Sequence, residues 1–174
     1  MKRELLYDPC LDIYGHRLPN LFVDRSGQDS SEAIAGVRTL IESLTATEGA
    51  LIYPEGTRYS VQKHQALANK PGQSLELLDQ LQRWPDLLPP RLGGTLAMLQ
   101  ANPGKDLLFM AHVGFEGSSR FSTLINGSWR HARVHIEFWR VPFAMVPTSP
   151  DAQRQFLFTQ WDRMQETVAR LKQL

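Results

Sequence analysis

The stretch at residues 50–60, ALIYPEGTRYS, constrains the fold of this chain more than any other. Apolar residues at 50–52 lead into a tyrosine, a proline, a carboxylate and a glycine, and an arginine follows at position 58. An apolar run that ends in turn-forming residues is typical of a buried strand followed by a tight turn. Because Pro54 supplies no backbone donor, we expect the strand to end there. Residues 55–58 would then lie at its carboxyl edge, where open α/β sheets bind ligands.

The chemistry of this turn indicates a phosphate site. Gly56 allows a backbone conformation, or a close approach of a ligand, that a Cβ atom would hinder. Arg58 carries a planar, permanently charged guanidinium whose donors match phosphate oxygens. The alternative is a surface turn without a ligand. The neighbouring Lys63, His64 and Lys70 are interpreted as a solvated face rather than as part of a site.

Residues 21–23, Leu-Phe-Val, are predicted to form a second strand. A start that resembles a capping box, followed by apolar residues at helical spacing, predicts a helix at 30–44 that connects the two strands. A right-handed crossover in such a unit would place Arg25 and Arg58 at the same sheet edge, where two cations could grip one phosphate. For Arg25 alone, the alternative is a local surface ion pair with Asp24.

Four further helices and two further strands are predicted along the rest of the chain, together with a loop and a short helix at 114–129. The helices are expected at 61–69, 74–84, 95–101 and 151–174, the last with an apolar face packed on the sheet. The near-continuous apolar run at 106–113 predicts a buried parallel strand. The alternation at 132–143 predicts a strand near the sheet edge, with Val134, Ile136 and Phe138 facing inward. Residues 1–174 are therefore expected to form a single α/β domain with a mainly parallel β-sheet flanked by helices.

The composition excludes several classes of protein. With a formal net charge of +1 over 174 residues, the chain lacks the basic field of nucleic-acid-binding proteins, so no such partner is expected. The single cysteine, Cys10, excludes an internal disulfide framework and a multi-cysteine metal site, and no metal is expected. No apolar run reaches the roughly 18 residues that a transmembrane helix requires. We expect a cytoplasmic location, with peripheral attachment to the inner face of the membrane as a further option.

Several segments resemble motifs of the glycerolipid acyltransferases, the family of 1-acylglycerol-3-phosphate acyltransferases. YPEGTRYS, at 53–60, is similar to the third motif of the family, and NLFVDR, at 20–25, to the second, whose arginine helps to hold the glycerol phosphate. Lys-Arg-Glu-Leu, at 2–5, looks like a segment that follows the catalytic motif. The strand at 106–113 and the Gly-Gly segment at 91–100 look like the fourth motif and the helix before it. The Val-Pro-Val core of that motif is absent, which puts the acyl-chain site in doubt.

This resemblance implies a glycerol-3-phosphate-acyltransferase-like fold and a role in phospholipid biosynthesis. The implied reaction transfers a fatty acyl group from acyl-CoA or acyl carrier protein to a lysophospholipid such as 1-acylglycerol-3-phosphate, with no bound cofactor. The resemblance also implies a substrate- and phosphate-binding set formed by Arg25, Glu55, Gly56, Thr57 and Arg58. Within this set the two arginines would bind phosphate, and Glu55 would position Arg58 or the acceptor hydroxyl.

The catalytic His-x4-Asp motif of that family is missing from this chain. None of the five histidines is followed five positions later by an aspartate. We expect an N-terminally incomplete domain whose first motif lies upstream of Met1; a degenerate homologue and a substitute histidine are the alternatives. His112 is the one weak candidate for a substitute base, although a histidine between Ala111 and Val113 is more often a hydrogen-bonded core or rim residue. The alternative function is a non-catalytic protein that binds a lipid or a phosphometabolite.

Overall fold

The computed structural model describes residues 30–114 and 132–174, which form five α-helices and a two-stranded sheet. In chain order the elements are α1 (Ser30–Glu42), α2 (Val61–Ala68), α3 (Leu75–Arg83), α4 (Leu92–Gln100), β1 (Leu107–Val113), β2 (His135–Val141) and α5 (Pro150–Leu171). A 3-10 turn, Phe143–Met145, lies between β2 and α5. The predictions for residues 2–5, the strand at 21–23, Arg25 and the loop and short helix beyond Gly114 lie outside the described residues.

The helices begin where the sequence supplies a capping residue. Three of them follow a serine whose hydroxyl accepts a hydrogen bond from a backbone N–H three residues later, at 3.2 to 3.3 Å; these serines are Ser60, Ser74 and Ser149. Such a cap contributes about 1 kcal/mol to helix stability. The helices predicted at 30–44, 61–69, 74–84 and 151–174 are confirmed within a few residues at each end, and α4 begins earlier than the predicted helix at 95–101.

The core lies between α5 and one face of the sheet. The predicted apolar stripe of α5 is confirmed, because all five of its members are buried: Leu157, Trp161, Met164, Val168 and Leu171. Trp84, which is fully buried, packs against Phe158 with ring centroids 5.5 Å apart. Each such side chain contributes about 1.5 to 3 kcal/mol when it leaves water, so this face is the main source of stability.

The prediction for the two faces of β2 was wrong. Trp139 and Val141 are buried against α5, whereas Ile136 and Phe138 are 48% and 55% exposed, and Val134, just before the strand, is 40% exposed. The indole of Trp139 stacks on Phe109 and donates a hydrogen bond to a side chain of α5. Apolar residues occur at both alternating sets of positions, and the packing of the large indole under α5 decides which set is buried.

The predicted mainly parallel sheet was also wrong. β1 pairs with β2 in antiparallel register, Leu107 opposite Val141 and Val113 opposite His135, and no other strand occurs among residues 30–114 and 132–174. The outer face of β1 is not buried, since Leu108 is 66% exposed.

The strand predicted at 50–52 is not formed, so the described residues contain no strand–helix–strand unit around the turn. Leu51 and Tyr53 are 76% and 69% exposed. The segment runs beside the start of α4, where the Arg91 backbone N–H donates to the Pro54 carbonyl at 2.8 Å. A short apolar run becomes a strand only when a neighbouring strand pairs with its backbone, and no strand among the described residues pairs with 50–52.

Candidate functional site

The Glu-Gly-Thr-Arg segment does form a tight turn, although no strand precedes it. The Gly56 backbone N–H donates to the Tyr53 carbonyl at 2.9 Å, which closes a four-residue turn with Pro54 at its second position. Proline favours that position because its φ is already fixed. Gly56 follows with a φ of +68°, a conformation that residues with a Cβ rarely adopt.

The space beside Gly56 is occupied by Arg91, the residue at the start of α4. A Cβ atom added to Gly56 would lie 2.7 Å from Nε and 3.1 Å from Cζ of Arg91. The same arginine holds the turn through its backbone bond to Pro54. The lack of a side chain at Gly56 therefore makes room for a guanidinium of this chain, where the sequence had suggested the approach of a ligand.

Glu55 is directed towards the loop that precedes α4. Burial raises its pKa to about 7, while the Leu88 backbone N–H and the charge of Lys63 act in the opposite direction. A carboxyl group in this setting is partly protonated at neutral pH. Since Leu88 is only 3% exposed, the hydrogen bond joins Glu55 to a buried part of the loop and fixes the orientation of the turn.

Lys63 organises the second half of the turn from the first turn of α2. Its Nζ donates to the Thr57 hydroxyl at 2.9 Å and to the Arg58 carbonyl at 2.8 Å. The interpretation of Lys63 as part of a solvated face missed this role. The one signal for it in the sequence is that Lys63 stands only five positions after Arg58. The Arg58 side chain is exposed at the surface.

The structure thus brings Glu55, Gly56 and Thr57 together with two cations that the sequence did not assign to the site, Lys63 and Arg91. Arg25 lies outside the described residues, so its predicted convergence with Arg58 stays a prediction.

His112 lies on the outer, exposed face of the sheet, opposite Ile136 of β2. Its neighbours Ala111 and Val113 are buried because successive side chains of a strand point to opposite faces. His112 is therefore not a core residue, and its role as a base stays a prediction. Among the described residues, no group of three or more His, Cys, Asp or Glu side chains could hold a metal ion.

None of the described helices combines the length and the apolar character needed to cross a membrane. Comparisons of the chain with protein-family models, with curated proteins and with solved structures each give no significant match.

Proposed function

We propose that this chain binds the phosphate of a lysophospholipid acceptor, such as 1-acylglycerol-3-phosphate, at the turn formed by residues 53–58, as part of an acyl-transfer reaction. The donor would be acyl-CoA or acyl carrier protein. In that reaction the acceptor hydroxyl gives its proton to a base, its oxygen bonds to the acyl carbonyl carbon, and the thiol leaves. The chain would act at the membrane surface, where such acceptors reside.

The observation that carries this proposal is the presence of three cationic residues at one turn. Three cationic residues, Arg58, Lys63 and Arg91, belong to the turn or contact it. The acidic residue within the turn is Glu55, whose charge is reduced by a pKa of about 7. A dianionic phosphomonoester would compensate this positive charge and would accept hydrogen bonds from guanidinium groups in the fork geometry that suits them.

A second candidate is a non-catalytic protein that binds the same phosphate. It is favoured by one specific observation, the absence of a His-x4-Asp spacing anywhere in the sequence. The two candidates share the phosphate site and differ in whether that site serves an acyl-transfer reaction.

The test is calorimetric binding of lysophosphatidate to wild type, Arg58→Ala and Arg58→Lys. A charge-assisted hydrogen bond contributes about 1.5 to 3 kcal/mol, so Arg58→Ala should bind roughly ten-fold to a hundred-fold more weakly. Arg58→Lys should also lose affinity, because an ammonium cannot reproduce a bidentate contact. Arg38→Ala is the matched control, since Arg38 bonds to Gln100 at the opposite end of α4 from Arg91. If the folded Arg58→Ala variant binds lysophosphatidate as tightly as wild type, the turn is not a phosphate site.

A further inference from the structure

Arg91 lies across the turn and has no acidic partner among residues 30–114 and 132–174. Its backbone N–H is fixed on the Pro54 carbonyl at 2.8 Å, and its side chain lies against the Cα side of Gly56. The ion pairs in the described part of the chain involve other arginines or Lys172, and none of their carboxylates is paired with the Arg91 guanidinium. The side chain is exposed, so its donors are open to a ligand from solution.

The placement of this guanidinium depends on Gly56. A Cβ atom at position 56 would come within 3 Å of both Nε and Cδ of Arg91, closer than real Cβ contacts. The arginine side chain is flexible and would move away, whereas the backbone of the turn could remain. The glycine therefore has two separable roles, one in the positive φ of the turn and one in the position of Arg91.

The other cations at the turn are used differently. The Lys63 ammonium is already engaged by Thr57 and by the Arg58 carbonyl, so its main role is to shape the turn. Arg58 belongs to the turn itself, whereas Arg91 comes from the start of α4 and places its guanidinium beside Gly56, so the turn and the helix each contribute an arginine. Two such groups are the arrangement that grips a tetrahedral phosphate from two sides.

We propose that Arg91 is a second phosphate-binding residue of this site and that Gly56 is required because it leaves the space that the Arg91 guanidinium occupies. This inference rests on the proposed function, since the ligand is the phosphomonoester of the same acceptor. Gly56 is then a positioning residue that acts through Arg91. The site is formed jointly by the turn and the start of α4. The recognised chemistry is a terminal phosphate, whether carried by a lipid or free.

The experiment is a double-mutant cycle on Gly56→Ala and Arg91→Ala, with binding of lysophosphatidate and of inorganic phosphate measured by calorimetry. Arg91→Ala should weaken lysophosphatidate binding roughly ten-fold to a hundred-fold, and Gly56→Ala should weaken it to a similar degree. The double variant should bind within about two-fold of Arg91→Ala, because the glycine acts through the arginine. If the site recognises the phosphate of a lipid, lysophosphatidate should bind more tightly than inorganic phosphate. Equal affinities for the two would show that the site recognises free phosphate.

Two controls separate the alternatives. Gly56→Asn tolerates the positive φ better than alanine but still carries a Cβ, so it should lose affinity like Gly56→Ala while unfolding at a temperature nearer that of wild type. Arg38→Ala should bind like wild type. Full affinity in Arg91→Ala with loss in Arg58→Ala overturns the role of Arg91 and leaves the proposed function standing. Full affinity in both variants, or no binding by wild type, overturns both.

Discussion

Replacement of Glu55 by glutamine tests the environment of the turn without a ligand. Burial raises the pKa of Glu55 from 4.5 to about 7. Each pKa unit corresponds to about 1.36 kcal/mol, so the ionised carboxylate lowers the free energy of unfolding by up to about 3 kcal/mol relative to the protonated form. Glutamine stays neutral at every pH, and its carbonyl oxygen can still accept the Leu88 N–H.

The sign of the pH dependence follows from the two states. Between pH 4.5 and 7 the unfolded chain has lost the Glu55 proton, whereas the folded chain retains it. The favourable contribution of the protonated group is therefore fully present below about pH 4.5, is lost progressively as the pH rises to about 7, and stays lost above that. The glutamine variant should lack this decline.

The assay is urea unfolding followed by tryptophan fluorescence at pH 5, 6, 7 and 8. At pH 8, Glu55→Gln should be more stable than wild type by about 1 to 3 kcal/mol, and the difference should shrink towards pH 5. Glu166→Gln, at an exposed position of α5, is the matched control and should not change this slope. A stability difference between Glu55→Gln and wild type that is constant from pH 5 to pH 8 would refute the reasoning.

Two further predictions concern activity and the support of the loop. The sequence has no His-x4-Asp spacing, and a general base typically contributes about 10² to 10⁴-fold, so we expect the purified chain to bind lysophosphatidate but to consume little or no acyl thioester. Robust activity that is lost in His112→Ala would instead identify a substitute base. Trp161→Phe removes the donor that reaches the Leu88 carbonyl at 3.0 Å and should destabilise the fold by about 1 to 3 kcal/mol in urea unfolding, since a buried acceptor is left unpaired. Trp139→Phe is its comparison, because Gln160, the partner of that indole, is only partly buried and can turn to water; an equal loss would contradict the argument.

The helices could be predicted because their signals are local. The leucines at 75, 78 and 81 and the apolar stripe within 151–174 predict two of the helices directly. Ser60, Ser74 and Ser149 are N-caps in the structure, a further local signal that the prediction did not use. The turn at Pro54–Gly56 was predictable for the same reason, since proline and glycine restrict the backbone wherever the turn is packed.

The sheet could not be predicted in the same way. The apolar runs at 50–52 and 106–113 look alike in sequence, yet only the second is paired, because strand formation depends on a partner that lies elsewhere in the chain. Arg91 was missed as a site residue for a related reason. Its position over Gly56 results from the packing of α4 beside the turn, and no spacing in the sequence encodes that contact.

The turn is consequently held by the C-terminal half of the fold rather than by a strand of its own. The indole of Trp161 on α5 donates to the Leu88 carbonyl, and the Gln165 side chain on the same helix accepts from the Asp86 backbone N–H at 2.9 Å. This loop in turn supplies the N–H groups of Leu88 and Arg91 to the turn. Hydrogen bonds therefore run from α5 through the loop to the candidate phosphate site, and a change that loosens α5 acts on that site although it touches none of its cations.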